Sequence, residues 1–281
     1  MKFLIIASYL ESVINFRGKL IDKLHSAGIK VYVICPYDSE KSKIYLRLIK
    51  KKVSIYNINI SNTSTNPFLD AIYLYRLFNL IKNINPHYVL PYTIKPVIYG
   101  LISCKLAGIT NVYPMVTGLG YSFTGKPKGM RLLIQFITKV LYKFAFRFSK
   151  AVFFQNKDDK QLFKKLRILK TNHRIVVING SGVDLKYFSF EDLPNEISFL
   201  MLSRLVGDKG VREYVQAAKN IRLKFKSIKF YLAGWTDMNP DAITKKELDK
   251  WIREKTITFF EKVDDVRPLI KKCSVYVLPS Y

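Results

Sequence analysis

The sequence predicts an α/β protein built from two parallel, doubly wound units, and three observations lead to this prediction. Short runs of Val, Ile and Leu, such as residues 2–7 and 29–35, alternate with longer segments whose apolar residues recur at helical spacing. Glycines, a proline and acidic residues interrupt this alternation at 179–196, and a second series of the same kind begins at Ile197. Buried strands that alternate with helices are typical of a parallel sheet covered on both faces.

The first unit begins with a βαβ pattern. A strand over 2–7 precedes a helix over 12–27 that stops at Gly28, and the strand over 29–35 is closed by Pro36. The same apolar runs predict further strands over 53–60, 87–91, 111–116, 151–155 and 174–178. Helical spacing predicts the intervening helices over 40–51, 67–84, 96–107, 129–149 and 158–166.

The second unit repeats the pattern in a shorter form. Strands are predicted over 197–203, 228–233, 257–260 and 274–278, and helices over 209–225, 242–255 and 263–272. We therefore expect a Rossmann-like domain over 1–183, a linker over 184–196 and a second Rossmann-like domain over 197–281.

Composition limits the classes of protein and of partner. The chain has 281 residues, of which 49% are hydrophobic, and this content favours a globular protein over a disordered one. Lys and Arg number 47 against 21 Asp and Glu, which gives a net charge of +26 and predicts anionic partners. Cys35, Cys104 and Cys273 lie in or beside apolar stretches without metal-ligand spacing, so we expect reduced core cysteines in a cytoplasmic protein. No signal peptide and no membrane-spanning segment are expected.

Two basic residues follow the first strand of the second unit. The apolar run 199–202 ends at Ser203-Arg204, and Lys209-Gly210 opens an amphipathic helix. In a parallel sheet, ligands bind outside the carboxyl ends of the strands, and a helix N-terminus there favours anions. Arg204 and Lys209 therefore suit a diphosphate, although a surface turn with solvated charges explains the same residues from spacing alone.

Four segments together carry a family resemblance. They read GVDLKYF at 182–188, SRLVGDKG at 203–210, YLAGW at 231–235 and VYVLPSY at 275–281. In order and spacing they resemble the retaining GT-B glycosyltransferases of family 4. The residues Asn15-Phe16-Arg17 and the segment TGLG at 117–120 resemble bacterial members that assemble surface polysaccharides and glycoprotein glycans. These include the N-acetylgalactosaminyltransferases that extend undecaprenyl-diphosphate-linked diacetylbacillosamine.

The resemblance implies a GT-B fold with two domains facing a cleft and a role for several residues. Arg204 and Lys209 match the family's Arg and Lys that bind the diphosphate of a nucleotide-sugar donor, here expected to be UDP-linked. The segment 8–18 matches the loop of the first domain that faces the cleft. Arg17 could therefore contact phosphate or be a solvated helix-start arginine. Gly118 and Gly120 could let the backbone approach a ligand or form an ordinary turn. Arg17, Gly18, Gly118 and Gly120 are therefore the candidate residues of loops at the cleft.

The resemblance also implies a polyprenyl-diphosphate-linked glycan as acceptor, no cofactor and no metal. The family's two catalytic-domain glutamates would lie beyond Tyr281, so the catalytic residues stay unassigned. On this basis we expect a truncated member whose second domain is incomplete and which does not transfer sugar on its own.

A basic helix is the last feature of interest. Residues 126–150 contain seven basic residues and no acidic one. One stripe carries Lys139, Lys143, Arg147 and Lys150, and the opposite face is expected to carry Leu133, Ile137, Val140, Phe144 and Phe148. The basic stripe could face an anionic membrane from the cytoplasmic side while the apolar face packs in the core, or its charges could simply be solvated.

Two rival functions remain open at the level of sequence. A nucleic-acid-binding protein would also explain the charge of +26, and it predicts steeply salt-dependent binding without a preference for UDP. A sugar-nucleotide epimerase on the same fold would convert the donor without an acceptor. His25, His87 and His173 are far apart in sequence and read as structural residues.

Overall fold

The computed structural model describes residues 1–60, 66–118, 123, 129–236 and 241–280. It confirms the predicted α/β class, since helices alternate with strands and every pair of named strands is parallel. The chain divides into two compact units, Met1–Val183 and Asp184–Tyr281.

The first unit contains two groups of parallel strands. The order of the first group is β3-β2-β1-β4, and that of the second is β5-β6-β7. Single parallel bridges from Val89 to Val112 and from Tyr92 to Met115 connect β4 to the second group. The strands are β1 (Lys2–Ile6), β2 (Lys30–Ile34), β3 (Ser54–Tyr56), β4 (Tyr88–Pro91), β5 (Met115–Val116), β6 (Val152–Phe154) and β7 (Ile175–Val177).

Helices cover both faces of this arrangement. Because successive strand residues point to opposite faces, Leu4 and Ile6 belong to one apolar cluster, whereas Ile5 belongs to another. The helices are α1 (Leu10–Ser26), α2 (Lys43–Lys50), α3 (Pro67–Ile84), α4 (Ile94–Leu106), α5 (Met130–Ala145) and α6 (Lys157–Lys165).

The second unit has its own sheet, with strand order β10-β9-β8-β11. Its elements are β8 (Ser198–Leu202), α7 (Val211–Lys224), β9 (Lys229–Ala233), α8 (Lys245–Arg253), β10 (Thr258–Phe260), α9 (Arg267–Lys271) and β11 (Val275–Tyr276). Buried residues on α7, namely Val211, Val215 and Ala218, pack in the apolar cluster that also contains Met201 and Leu232. The prediction of an amphipathic helix after Lys209-Gly210 is therefore confirmed.

Several helix boundaries follow from capping residues. Asn66 caps α3 by accepting a hydrogen bond from the Phe68 N–H, and Asn85 ends the helix in the left-handed region at φ 47°. Thr244 and Glu247 form a capping box at the start of α8. The apolar pattern predicts that this helix begins at 242. Because of the capping box, α8 begins at Lys245 instead.

Other differences concern residues that the pattern could not place. The predicted strand over 111–116 forms only β5, because Pro114 has no N–H to donate to a neighbouring strand. The predicted helix over 129–149 ends at Ala145 and is followed by a 3-10 turn, Phe146–Phe148. The three cysteines are buried and unpaired, and burial raises the pKa of Cys35 to about 12, which makes it a poor nucleophile. Among the described residues, no helix has the length and apolarity to cross a bilayer.

Candidate functional site

An eight-residue loop, 203–210, connects β8 to α7 and carries both predicted diphosphate-binding residues. The loop continues the pairing with β9, because the Ser203 N–H donates to the Ala233 carbonyl at 3.1 Å and the Leu205 N–H donates to the Trp235 carbonyl at 2.9 Å. Farther along, the Gly207 N–H donates to the Asp241 carbonyl at 2.9 Å. Backbone hydrogen bonds therefore fix the path of the loop along the carboxyl edge of the sheet.

Arg204 and Lys209 sit at opposite ends of this loop. Arg204 is exposed, and Lys209, the last residue of a 3-10 turn (Gly207–Lys209), is half-buried. Gly210 follows in the left-handed region at φ 72° and serves as the N-cap of α7 without a side-chain cap. The sequence analysis placed these residues correctly as strand end, loop and helix start. The arrangement puts Lys209 next to a helix N-terminus, which favours an anion, and Arg204 at the other end of the same loop.

Close backbone packing holds the loop in place. A Cβ atom at Gly210 would overlap the Pro279 carbonyl oxygen, and one at Gly234 would overlap the Ser203 carbonyl oxygen. Both glycines also have positive φ angles, 72° and 157°. Glycine is required at both positions because any side chain would displace the loop.

Three further side chains at this edge were not among the site residues predicted from sequence. Trp235 follows β9 and is 44% exposed, and the Lys262 Nζ, beyond the end of β10, lies 5.2 Å from its ring centroid. The Ser203 hydroxyl is buried and has no hydrogen-bond partner among the described residues. These residues follow β9, β10 and β8, so the parallel order of the strands brings them to one edge. The signal available in sequence was that Ser203 ends a predicted strand and that Trp235 and Lys262 stand two residues beyond the next two predicted strands.

Ion pairs connect α7 to Asp241, in the segment after β9, and to Glu247 of α8. The Arg212 Nε donates to the Glu247 Oε1 at 2.8 Å, and its Nη1 donates to the Asp241 Oδ1 at 3.1 Å. The hydrogen bond from Arg212 lowers the pKa of Glu247 to about 2. Arg212 is thus held by two carboxylates of the second unit.

In the first unit, Arg17 lies inside α1 rather than in a loop. The connection from β1 to α1 is only 7–9, so the expected cleft loop over 8–18 is wrong. Gly18 is also helical, and the nearest atom to a Cβ built there is the Ile14 Cδ1 at 3.8 Å, an ordinary contact. Nothing in the backbone therefore requires glycine at position 18.

Arg17 is buried, with 4% of its surface exposed, so the interpretation as a solvated arginine is wrong as well. Its Nη1 donates to the Ser181 hydroxyl at 2.9 Å, its Nη2 lies 3.1 Å from the Met115 sulfur, and its guanidinium carbon lies 4.9 Å from the Tyr92 ring centroid. Burial lowers the pKa of Arg17 from its ordinary value. Among the described residues no carboxylate forms an ion pair with it, and its Nε has no partner.

Hydroxyl groups surround the start of α1. Ser12 and the Tyr92 hydroxyl share a hydrogen bond at 2.7 Å, and the Ser8 and Thr93 hydroxyls share another. Thr93 has a φ of 70°, which is unusual for a β-branched residue and indicates backbone strain. Strain at the carboxyl edge of β4 is a feature that sequence patterns do not show.

The glycine candidates have different outcomes. Gly118 has a φ of 144° and open space where a Cβ would stand, so its backbone conformation favours glycine while the neighbouring atoms would admit a side chain. Gly120 lies outside the described residues. Neither finding tests whether these positions contact a ligand.

The basic stripe and the apolar face of α5 differ from the prediction. Lys139 and Lys143 belong to α5, Arg147 to the 3-10 turn after it, and Lys150 follows the turn. Lys143, Arg147 and Lys150 are exposed, and Lys139 is half-buried. The apolar face, however, is not packed in the core: large apolar residues along it are 44–51% exposed, namely Leu133, Ile137, Val140 and Phe144. Only Phe148 of the predicted apolar set packs against the core.

Two family sequence models match the chain. One, described as glycosyl transferase 4-like, matches residues 11–156. The other, described as glycosyl transferases group 1, matches residues 196–281. The first match alone covers more than half of the chain.

Individual proteins are also similar to this chain. A Campylobacter jejuni protein, N,N'-diacetylbacillosaminyl-diphospho-undecaprenol alpha-1,3-N-acetylgalactosaminyltransferase, is 28% identical over 285 residues, which cover 96% of this chain and 72% of that protein. Among solved structures, Anabaena HepE in complex with UDP and glucose matches with a TM-score of 0.66 at 14% identity, over 100% of this chain and 74% of that one. Sucrose-phosphate synthase from Thermosynechococcus elongatus matches with a TM-score of 0.74 at 12% identity, over 100% and 76%. At such identities the structural matches show the fold.

Proposed function

The chain belongs to the glycosyl transferase 4-like family and is a glycosyltransferase of glycan biosynthesis, and we propose that it moves a sugar from a UDP-linked donor to a polyprenyl-diphosphate-linked glycan. The observation that carries the donor half of this proposal is the loop 203–210. It presents Arg204 and Lys209 at the carboxyl edge of a parallel sheet, with Lys209 beside the N-terminus of α7.

This arrangement suits the charge that develops when the bond between sugar and diphosphate breaks. Negative charge then accumulates on the departing nucleotide diphosphate. Two fixed cations and the N–H groups at a helix start stabilise that charge more than they stabilise the intact donor. We propose that Arg204 and Lys209 bind the diphosphate, that transfer proceeds with retention, and that no metal or cofactor is used.

The exposed ring of Trp235 extends the same edge. A flat aromatic surface with Lys262 close to it offers stacking and positive charge beyond the diphosphate. We propose that this part of the edge contacts the nucleoside of the donor. The Ser203 hydroxyl, which is buried and has no partner in the part of the chain that the structure describes, lies at the end of the neighbouring strand, β8, and can accept or donate one further hydrogen bond.

The acceptor half of the proposal rests on similarity. The Campylobacter jejuni relative is named for N-acetylgalactosamine transfer to a diphospho-undecaprenol-linked saccharide. We therefore propose an N-acetylhexosamine or hexose donor and an acceptor of the same lipid-linked class for this chain. In the first unit, Ser8, Ser12 and Thr93 line the start of α1, and we propose this edge as the acceptor side.

A transfer assay tests the proposal. The protein is incubated with radiolabelled UDP-N-acetylgalactosamine or UDP-glucose and a polyprenyl-diphosphate-linked saccharide, and label is followed into the organic phase. We expect lipid-linked label that depends on both substrates, which would overturn the expectation from sequence that the chain does not transfer sugar on its own. Conversion of the nucleotide sugar without acceptor would instead support an epimerase. Tight binding of oligonucleotides with no preference for UDP would support a nucleic-acid-binding protein.

We also propose that the chain works at the inner face of the cell membrane, with Lys139, Lys143, Arg147 and Lys150 facing anionic lipid. Each such residue near an anionic surface contributes up to roughly 1 kcal/mol. Replacing these four residues with Gln should weaken binding to phosphatidylglycerol vesicles at moderate salt. A matched control replaces four exposed basic residues of α8, Lys245, Lys246, Lys250 and Arg253, and should bind as the native chain does. Equal loss in both variants would show that net charge, not this stripe, controls binding.

A further inference from the structure

The helix α5 exposes an unusually apolar surface. In residues 130–141, all of which the structure describes, no side chain is buried. Six large apolar residues among them and just after them are 44–62% exposed: Leu132 54%, Leu133 51%, Phe136 62%, Ile137 48%, Val140 49% and Phe144 44%. An exposed apolar patch of this kind marks an interaction surface rather than ordinary solvent-facing helix.

These residues share one side of the helix. Leu133, Ile137, Val140 and Phe144 recur at spacings of four, three and four, and Leu132, Phe136 and Val140 recur at spacings of four. The two neighbouring rows together form one apolar stripe. The other side is held at its C-terminal end, where Tyr142 is buried and packs against the rings of Phe123, Phe146 and Phe163. The helix is thus fixed to the first unit through its last turns, while its apolar stripe stays outside the core.

Charge identifies the partner. Residues 129–150 contain basic residues and no acidic one, and Lys143 and Arg147 lie on the exposed side beside the apolar stripe. The Arg147 guanidinium carbon lies 6.0 Å from the Phe144 ring centroid, so cation and apolar surface adjoin. Two copies of this face would bring like charges together, whereas an anionic bilayer supplies both an apolar interior and negative headgroups.

We propose that α5 lies in the plane of the membrane and inserts the stripe containing Phe136, Ile137 and Val140 into the acyl boundary of an anionic leaflet. This proposal rests on the membrane location proposed above and adds that apolar insertion, not charge alone, holds the chain there. A helix whose exposed apolar side is flanked by basic residues binds in the interface rather than crossing the bilayer. Because inserted side chains are not screened by salt, binding should persist at salt concentrations that release a purely electrostatic contact.

The depth of insertion can be measured directly. Phe136→Trp places a fluorophore on the stripe, and Leu223→Trp, at a residue of α7 that is 82% exposed, is the matched control. Both variants are mixed with vesicles of phosphatidylethanolamine and phosphatidylglycerol whose acyl chains carry bromine. We expect the Phe136→Trp signal to be quenched and blue-shifted, and the Leu223→Trp signal to match the native background from Trp235 and Trp251.

A second variant measures the energetic contribution. Phe136→Ser with Ile137→Ser removes two exposed apolar side chains, so the fold should be retained and vesicle affinity should fall on the order of 10–100-fold, also at high salt. Vesicle binding without quenching at position 136 would overturn insertion and leave the membrane location standing. No vesicle binding by the native chain would overturn both, while sugar transfer is scored separately in solution. A native dimer that the double variant converts to a monomer in light scattering would assign the stripe to a second copy and overturn the proposal.

Discussion

The two units begin alike and place an arginine in opposite environments. In the first, β1 leads into α1 through residues 7–9, and Arg17 of that helix is 4% exposed. In the second, β8 leads into α7 through residues 203–210, and Arg204 of that loop is exposed. Both arginines follow the opening strand of a parallel sheet, yet one packs against Tyr92 and Met115 while the other faces solvent.

The length of the connection explains the difference. A three-residue connection sets the start of α1 close to the carboxyl edge of its sheet, so the long Arg17 side chain reaches neighbouring strands and fills space among them. An eight-residue loop keeps its own backbone bonded to β9 and to Asp241. It buries Leu205 and Val206 and leaves Arg204 exposed. A cation can act on a ligand only where the ligand can reach it, and the second connection meets this condition.

The largest expected effect concerns the exposed pair. Arg204→Ala or Lys209→Ala should lower sugar transfer by roughly 10²–10³-fold, the scale seen when one preorganised charge-stabilising group is removed. The matched control is Lys224→Ala, an exposed lysine at the far end of α7, which should leave turnover and UDP affinity unchanged. The measurements are steady-state transfer and calorimetric UDP binding. Native turnover in both loop variants would remove these residues from the donor site.

Substitution of Arg17 should lower the stability of the first unit and leave donor binding unchanged. Arg17→Ala removes a buried side chain and should destabilise the first unit by about 2–5 kcal/mol, as other large-to-small core substitutions do. Arg17→Met keeps much of the volume without the uncompensated charge and should lose far less. Urea unfolding measures both, with exposed Arg76→Ala as the control, and UDP affinity should not change. If the Arg17→Ala and Arg76→Ala chains were equally stable, the Arg17 side chain would have no role in packing.

Loop rigidity gives a third, smaller effect. Gly210 and Gly108 have nearly the same φ, 72° and 76°, but only a Cβ at Gly210 meets other atoms, those of Pro279. Gly210→Ala should therefore cost about 1–3 kcal/mol more than Gly108→Ala, because both pay for the left-handed backbone and only one is overpacked. Thermal unfolding of each variant provides the comparison, and equal costs would mean that the loop yields without strain.

The smallest effect is a pH dependence in the second unit. Because Arg212 lowers the pKa of Glu247 to about 2, this pair stabilises the folded state above the ordinary glutamate pKa, and that stability is lost as pH falls towards 2. The pair is partly exposed, so about 0.2–1 kcal/mol is at stake. Glu247→Gln should flatten the acid limb of the stability curve, and Glu261→Gln, an exposed glutamate of the same unit, should not. Identical acid limbs in the native chain and Glu247→Gln would contradict this coupling.

The fold and one of the two candidate regions followed from sequence. Apolar runs located each strand to within a few residues, because buried parallel strands need continuous Val, Ile and Leu on both faces. The loop with Arg204 and Lys209 was found because a strand, a glycine turn and a helix start are all local signals. For Arg17 and Gly18 the apolar spacing predicted a helix over 12–27 and the family resemblance predicted a loop over 8–18, and the structure agrees with the spacing, since both residues lie in α1.

For the helix α5, too, the sequence predicted the local features but not the exposure of the side chains. The sequence determined that it is helical, apolar along one stripe, basic and free of acidic residues, since periodicity and composition are local properties. Only the tertiary structure decided that the stripe is exposed, because burial depends on which faces of α4 and of the sheet remain uncovered by other elements. Likewise, sequence placed arginines after both opening strands, and only the packing of each connection decided that Arg17 is enclosed and Arg204 is accessible.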